Sequence, residues 1–113
     1  RFMPDAGPEQ MDWFNDLQRI SASPENAARF MTEFSLVDVR DTLAKVIAPT
    51  IVLHCQHDKV VPFDEGRLLA AEIRGARFVP LPSRNHLLVE HEPGWQMLVD
   101  ELAEFLGWER QAV

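Results

Sequence analysis

A single cysteine, Cys55, stands among 113 residues, so no internal disulfide can form. A lone thiol fits a reducing compartment, and a cytoplasmic protein is expected. No apolar run approaches the ~20 residues that a membrane span needs, so no membrane segment is expected. No charged-then-apolar leader opens the chain. Positive charge is scarce too: 11 Lys and Arg face 18 Asp and Glu, for a net charge of −7. Phosphate binding draws on a positive surface, so this segment is not expected to grip nucleic acid. The acidic balance serves solubility. Internal repeats and low-complexity tracts are absent. What remains is an ordinary globular composition, 46% hydrophobic and 26% charged. The length suits one domain with a real core.

The first part reads as helices. "RFMPDAGP" is an irregular lead-in with two prolines and a glycine. From Glu9 to about Ile20, Met11, Phe14, Leu17 and Ile20 recur at helical spacing. Ser23 before Pro24 predicts an N-cap and first helical residue, with Ala27, Phe30, Met31 and Phe34 as the apolar face of the next helix. Asp38 is placed to cap a short third helix, Val39 to Val46, with Leu43 and Val46 inward. Residues 1–48 thus form a helical lead-in.

The character changes at Pro49. "TIVLHC" is apolar and β-branched without alternation, which predicts a strand buried on both faces of a parallel sheet. Pro62 to Ile73 predicts a helix with Leu68, Leu69 and Ile73 inward, ended by Gly75. "ARFVPLP" predicts a second strand, cut short or made irregular by its prolines. Pro93 opens a last helix whose stripe is Trp95, Leu98, Val99, Leu102, Phe105 and Leu106, with Gly107 closing it. Residues 49–113 are therefore a strand–helix–strand–helix unit of the α/β class. Two strands leave long edges unpaired. Arg1 rather than Met also opens the chain. A piece of a longer protein is expected, self-associating through its uncovered sheet edge.

Both strands run into polar loops. The first, in "IVLHCQHDKVVP", carries His54, Cys55, His57, Asp58 and Lys59; the second carries Ser83, Arg84, Asn85 and His86. Functional groups in open α/β sheets collect beyond the carboxyl ends of the strands. If the strands are parallel neighbours, Asp58 meets His86. A carboxylate on one imidazole nitrogen fixes the tautomer, and the other nitrogen is then free to take a proton from a nucleophile.

The run "APTIVLHCQHDKVVP…ARFVPLPSRNHLLVEHEP…LAEFL" resembles the C-terminal part of an α/β-hydrolase-fold protein, from Pro49 to Leu106. The resemblance implies Asp58 as the acid and His86 as the base of a Ser–His–Asp triad. It implies a small-molecule acyl substrate or ligand and no cofactor, and it makes residues 1–48 a cap or lid piece. The stretch "SPENAARFMTEFSLVDVRDTLAKV" resembles hydrolase-like domains attached to bacterial transcriptional regulators, which implies ligand sensing as the alternative function. Two features depart from the family. Cys55 stands where glycine is usual, and no G-x-S-x-G elbow occurs, so the nucleophile is expected upstream of Arg1.

Plainer readings stand beside these. Asp58 is a candidate cap for the helix after Pro62, and His86 a candidate backbone-bonded loop histidine. His54 is expected to bond locally. His54, Cys55 and His57 offer at most three donors on one loop without C-x-x-C or H-x-x-x-H spacing, so no metal site is expected. Cys55 is expected to be buried and not a nucleophile. His91 is expected to be exposed. Of the serines, Ser21, Ser23, Ser35 and Ser83, none sits in a glycine-flanked turn.

Overall fold

A computed structural model describes residues 2–108. The chain divides into two compact units, residues 6–42 and residues 43–108 together with 2–5.

The first unit holds α1, Pro8–Ser21, and α2, Pro24–Ser35. Ser23 caps α2 as its position predicts: its hydroxyl accepts from the Asn26 amide at 3.2 Å, and Pro24 fills the first turn. The predicted face of α2 exists but is bare. Phe30, Met31 and Phe34 are exposed, with the Phe30 and Phe34 rings stacked at 5.9 Å one turn apart. Spacing defines a stripe; only a neighbouring layer can bury it. The expected third helix is a 3₁₀ segment, Arg40–Lys45. Asp38 caps it, accepting from the Arg40 amide at 3.1 Å. Leu43 is buried, as expected.

The second unit is built on β1, Ile51–Cys55, and β2, Arg77–Leu81, paired in parallel from Ile51↔Arg77 to Cys55↔Leu81. α3, Phe63–Glu72, connects them, and α4, Pro93–Leu106, follows. This is the α/β arrangement of two parallel strands with flanking helices that the sequence predicts. Successive strand side chains alternate between faces. Cys55, Val79 and Leu81 form the core with Leu53, Leu88 and Leu98 on the α4 side. His54 points the other way, onto Gly66 of α3. The helices therefore cover opposite faces.

Three details differ from the sequence reading. β1 is only half-buried before Cys55, because its outer edge has no partner strand among the described residues. Pro80 does not interrupt β2. The Arg77 amide donates to Thr50 on the β1 side, so by alternation the Phe78 and Pro80 positions face the outer edge, where no donor is needed. Leu69 and Leu106, expected to face inward, are exposed, Leu106 at 69%. Gly107 ends α4 at φ 64°, a left-handed conformation suited to glycine. Among the described residues, no helix is long and apolar enough to cross a membrane.

Candidate active site

Parallel pairing does not stop at the strand ends. The Gln56 amide donates to Leu81 at 2.9 Å and the His57 amide to Ser83 at 3.1 Å. The two polar loops leave the same edge of the sheet tied to one another. Asp58 turns back immediately, with its amide on the Cys55 carbonyl at 3.3 Å.

Asp58 is held from several sides. Its Oδ1 accepts from the Val60 amide at 2.7 Å and the Val61 amide at 2.9 Å. Its Oδ2 lies 2.7 Å from His86 Nδ1. These bonds fold the loop upon itself rather than cap α3, whose N-cap Pro62 has no side-chain bond. The Asp58 side chain is 3% exposed and that of His86 is 31% exposed. Burial by itself raises the Asp58 pKa. The hydrogen bonds from His86 and from the Val61 and Val60 amides outweigh it and hold the carboxyl below its ordinary range. Asp58 is thus a carboxylate at neutral pH. A carboxylate can only accept, so His86 Nδ1 carries the shared proton, and the neutral ring presents a bare Nε2 on its opposite side.

His54 stands behind this pair. Its Nε2 lies 2.9 Å from the Val61 carbonyl, an acceptor only, so Nε2 is the protonated nitrogen. The same atom is 3.7 Å from Asp58 Oδ2. The ring meets Phe63 edge-on at 5.7 Å. His54 bonds locally, supporting the loop that carries Asp58. Cys55 is buried, and burial pushes its thiol up against an opposing hydrogen bond with Ser83, which makes a poor nucleophile. Ser83 is buried and accepts from the Asn85 amide at 3.0 Å. His91 is exposed, just ahead of α4. Among the described residues, no three of His, Cys, Asp and Glu gather as a metal site needs.

Two residues matter here beyond the sequence reading, which placed Asn85 in the polar loop without a role and did not mark Phe2. Asn85 is fully buried at 0% exposure. Its Oδ1 accepts from the Asp5 amide at 3.0 Å, and its Nδ2 donates to Glu92 Oε2 at 2.6 Å. Glu92 also accepts from the Val89 amide at 2.7 Å. Phe2 lies over the loop, its carbonyl accepting from the His86 and Leu87 amides. The partners are some eighty positions apart, beyond the reach of local pattern. The one available signal was that an Asn before a candidate histidine, inside a polar loop, has donors and acceptors to place.

A cavity of about 680 Å³ opens beside the pair. Asp58 and His86 lie on its wall, and Ile51, Leu53, Leu81, Leu88, Trp95 and Leu98 make most of the rest apolar. Consecutive residues Leu53, His54 and Cys55 all line it, as do Gly66 of α3 and Trp95 of α4. The hollow therefore follows the unpaired edge of β1. An uncovered edge of this kind is where a further strand would pair.

No family model matches the chain. The chain is 29% identical over 85 residues to the AB hydrolase superfamily protein YisY of Bacillus subtilis (strain 168), a match covering 75% of the chain and 31% of that protein. The fold is also similar to the crystal structure of a hydrolase from Pseudomonas aeruginosa PA01, with a TM-score of 0.57 and 36% identity. That match covers 64% of the chain and 26% of the hydrolase. The chain thus spans about a third of the curated relative's length.

Proposed function

The chain carries the fold of the C-terminal part of an α/β hydrolase and is hydrolase-like, and from this premise we propose that Asp58 and His86 are the acid and base of a serine-type triad acting on an ester or similar acyl bond. The observation that carries the reading is the 2.7 Å contact between His86 Nδ1 and the buried Asp58 carboxylate. The remainder of the enzyme, in this reading, belongs to a longer polypeptide and supplies the serine.

The chemistry follows from the tautomer. His86 Nε2 takes the proton of the serine hydroxyl as its oxygen bonds to the substrate carbonyl carbon, whose π pair moves onto oxygen. Asp58 stays ionised, holds Nδ1–H and stabilises the imidazolium. The imidazolium then gives its proton to the leaving alcohol as the C–O bond breaks, and the acyl-enzyme is released by water through the same steps. None of the four serines of the chain is offered as the nucleophile; Ser83 is committed to Asn85 and sits in the wall of the core.

The test is fluorophosphonate labelling of the longer protein. Labelling there, with none in this 113-residue chain or in a full-length His86→Ala variant, is the expected result. In the longer protein Asp58→Asn should slow acylation by about 10³- to 10⁴-fold. Absence of labelling in a folded, full-length protein would sink the hydrolase reading and leave a ligand-binding pocket in its place.

A further inference from the structure

Resting on the acid–base reading of Asp58 and His86, we propose that the segment Phe2–Asp5 is a clamp that positions the base, and that Phe2 is the positioning residue.

The loop that bears His86 is bonded internally through Ser83, Asn85 and Glu92, but its amides at the histidine itself turn elsewhere. The consecutive amides of His86 and Leu87 both donate to one acceptor, the Phe2 carbonyl, at 2.7 and 3.0 Å. Partly buried amides need partners, so the backbone at the histidine is set by a segment from the other end of the sequence. The clamp is itself fixed. Met3 is buried, the Asp5 amide donates to Oδ1 of the buried Asn85 at 3.0 Å, and the Asp5 carboxylate is paired with Arg84.

The Phe2 side chain acts on the ring. Its centroid lies 5.7 Å from that of the imidazole, at an interplanar angle of 64°, an edge-on packing. The χ2 torsion of histidine is broad and roughly two-fold, so one hydrogen bond leaves the ring free to swing. A half-turn exchanges Nδ1 with Cδ2, which removes the donor from Asp58 and turns Nε2 away from its task. The Asp58 carboxylate fixes one edge of the ring, and Phe2 blocks the swing from the side. Phe2 touches no reacting atom; its effect passes through His86.

The experiment uses the whole chain labelled with ¹⁵N-histidine and read by long-range ¹H–¹⁵N correlation where the imidazole is neutral. In the wild type, His86 holds its proton on Nδ1, with Nε2 bare. Phe2→Ala, folded by circular dichroism, should exchange that Nδ1 proton about fivefold faster and show a share of the Nε2–H tautomer. Phe2→Tyr, which keeps the ring, should retain the wild-type spectrum. A folded Phe2→Ala chain with unchanged exchange and tautomer overturns the clamp. If Phe2→Ala does not fold, Phe2→Leu keeps the apolar bulk without the ring and carries the same expectation and the same refutation. A wild-type His86 protonated on Nε2 overturns the acid–base reading and the clamp together. A correct wild-type tautomer that ignores Phe2 overturns the clamp alone.

Discussion

Replacing Gly66 by alanine pits two effects of opposite sign against each other. Gly66 lies inside α3, where alanine should stabilise the helix by about 1 kcal/mol. It also faces β1. A Cβ built on Gly66 falls 2.4 Å from His54 Nδ1, 2.9 Å from its Cγ and 3.0 Å from its Cβ. These atoms lie near the root of the side chain, so the ring cannot swing aside cheaply. Its far end is held by the Val61 carbonyl at 2.9 Å and its edge by Phe63. Overpacking of this kind costs roughly 1–3 kcal/mol, and displacing His54 loses a hydrogen bond worth about 1 kcal/mol. The clash should win, for a net loss of about 1–3 kcal/mol. Urea unfolding followed by tryptophan fluorescence gives the midpoint, with an unchanged m-value confirming that stability alone has moved. The control is the same change in a His54→Ala background. There the space is open, and Gly66→Ala should stabilise by about 1 kcal/mol. Additivity of the two substitutions within about 0.5 kcal/mol would refute the reasoning, since residues in contact must couple.

Asn85→Ala should destabilise by about 2–4 kcal/mol, the sum of one neutral and one charge-assisted bond, and the same urea midpoints measure it. Asp58 has a folded pKa below its unfolded value. Its stabilisation is therefore fully present above the ordinary carboxylate range and is lost as pH falls through the lower folded value. Asp58→Asn should flatten that acid limb in unfolding curves taken from neutral pH downward; an unaltered limb would contradict the assignment. The unpaired edge of β1 should make this chain self-associate, and light scattering that finds only monomer at micromolar concentration would count against it.

Much of the sheet unit was legible before any coordinates. The polar residues bounding "TIVLHC" and the proline and glycine at the ends of α4 mark their elements with little ambiguity, since each signal is local. The meeting of Asp58 and His86 was also readable, because parallel neighbouring strands place their following loops on one edge. Burial was harder. The run of β1 says that both faces suit a core, whereas exposure depends on what lies beside the strand, and its outer edge is bare. The stripe of α2 met the same limit. The segment around Arg40 favours tight turns over a full helix because Asp38 and Thr42 bond their own backbone. Phe2 was invisible for a different reason: a carbonyl that holds two amides of a distant loop leaves no trace in its own side chain.

The same distances in sequence order the assembly of the site in time. Asp58 and His86 are separated by 28 positions, a loop already spanned by α3 once the two strands pair. The Asp5–Asn85 bond closes a loop of 80 positions. For a flexible chain the longer closure costs about 1 kcal/mol more in entropy. On loop-closure cost the Asp58–His86 contact is expected to form with the sheet, and the N-terminal segment to dock over it later. The matching expectation for unfolding is that this segment opens first, so the His86 and Leu87 amides should exchange with solvent faster than those of the paired strands.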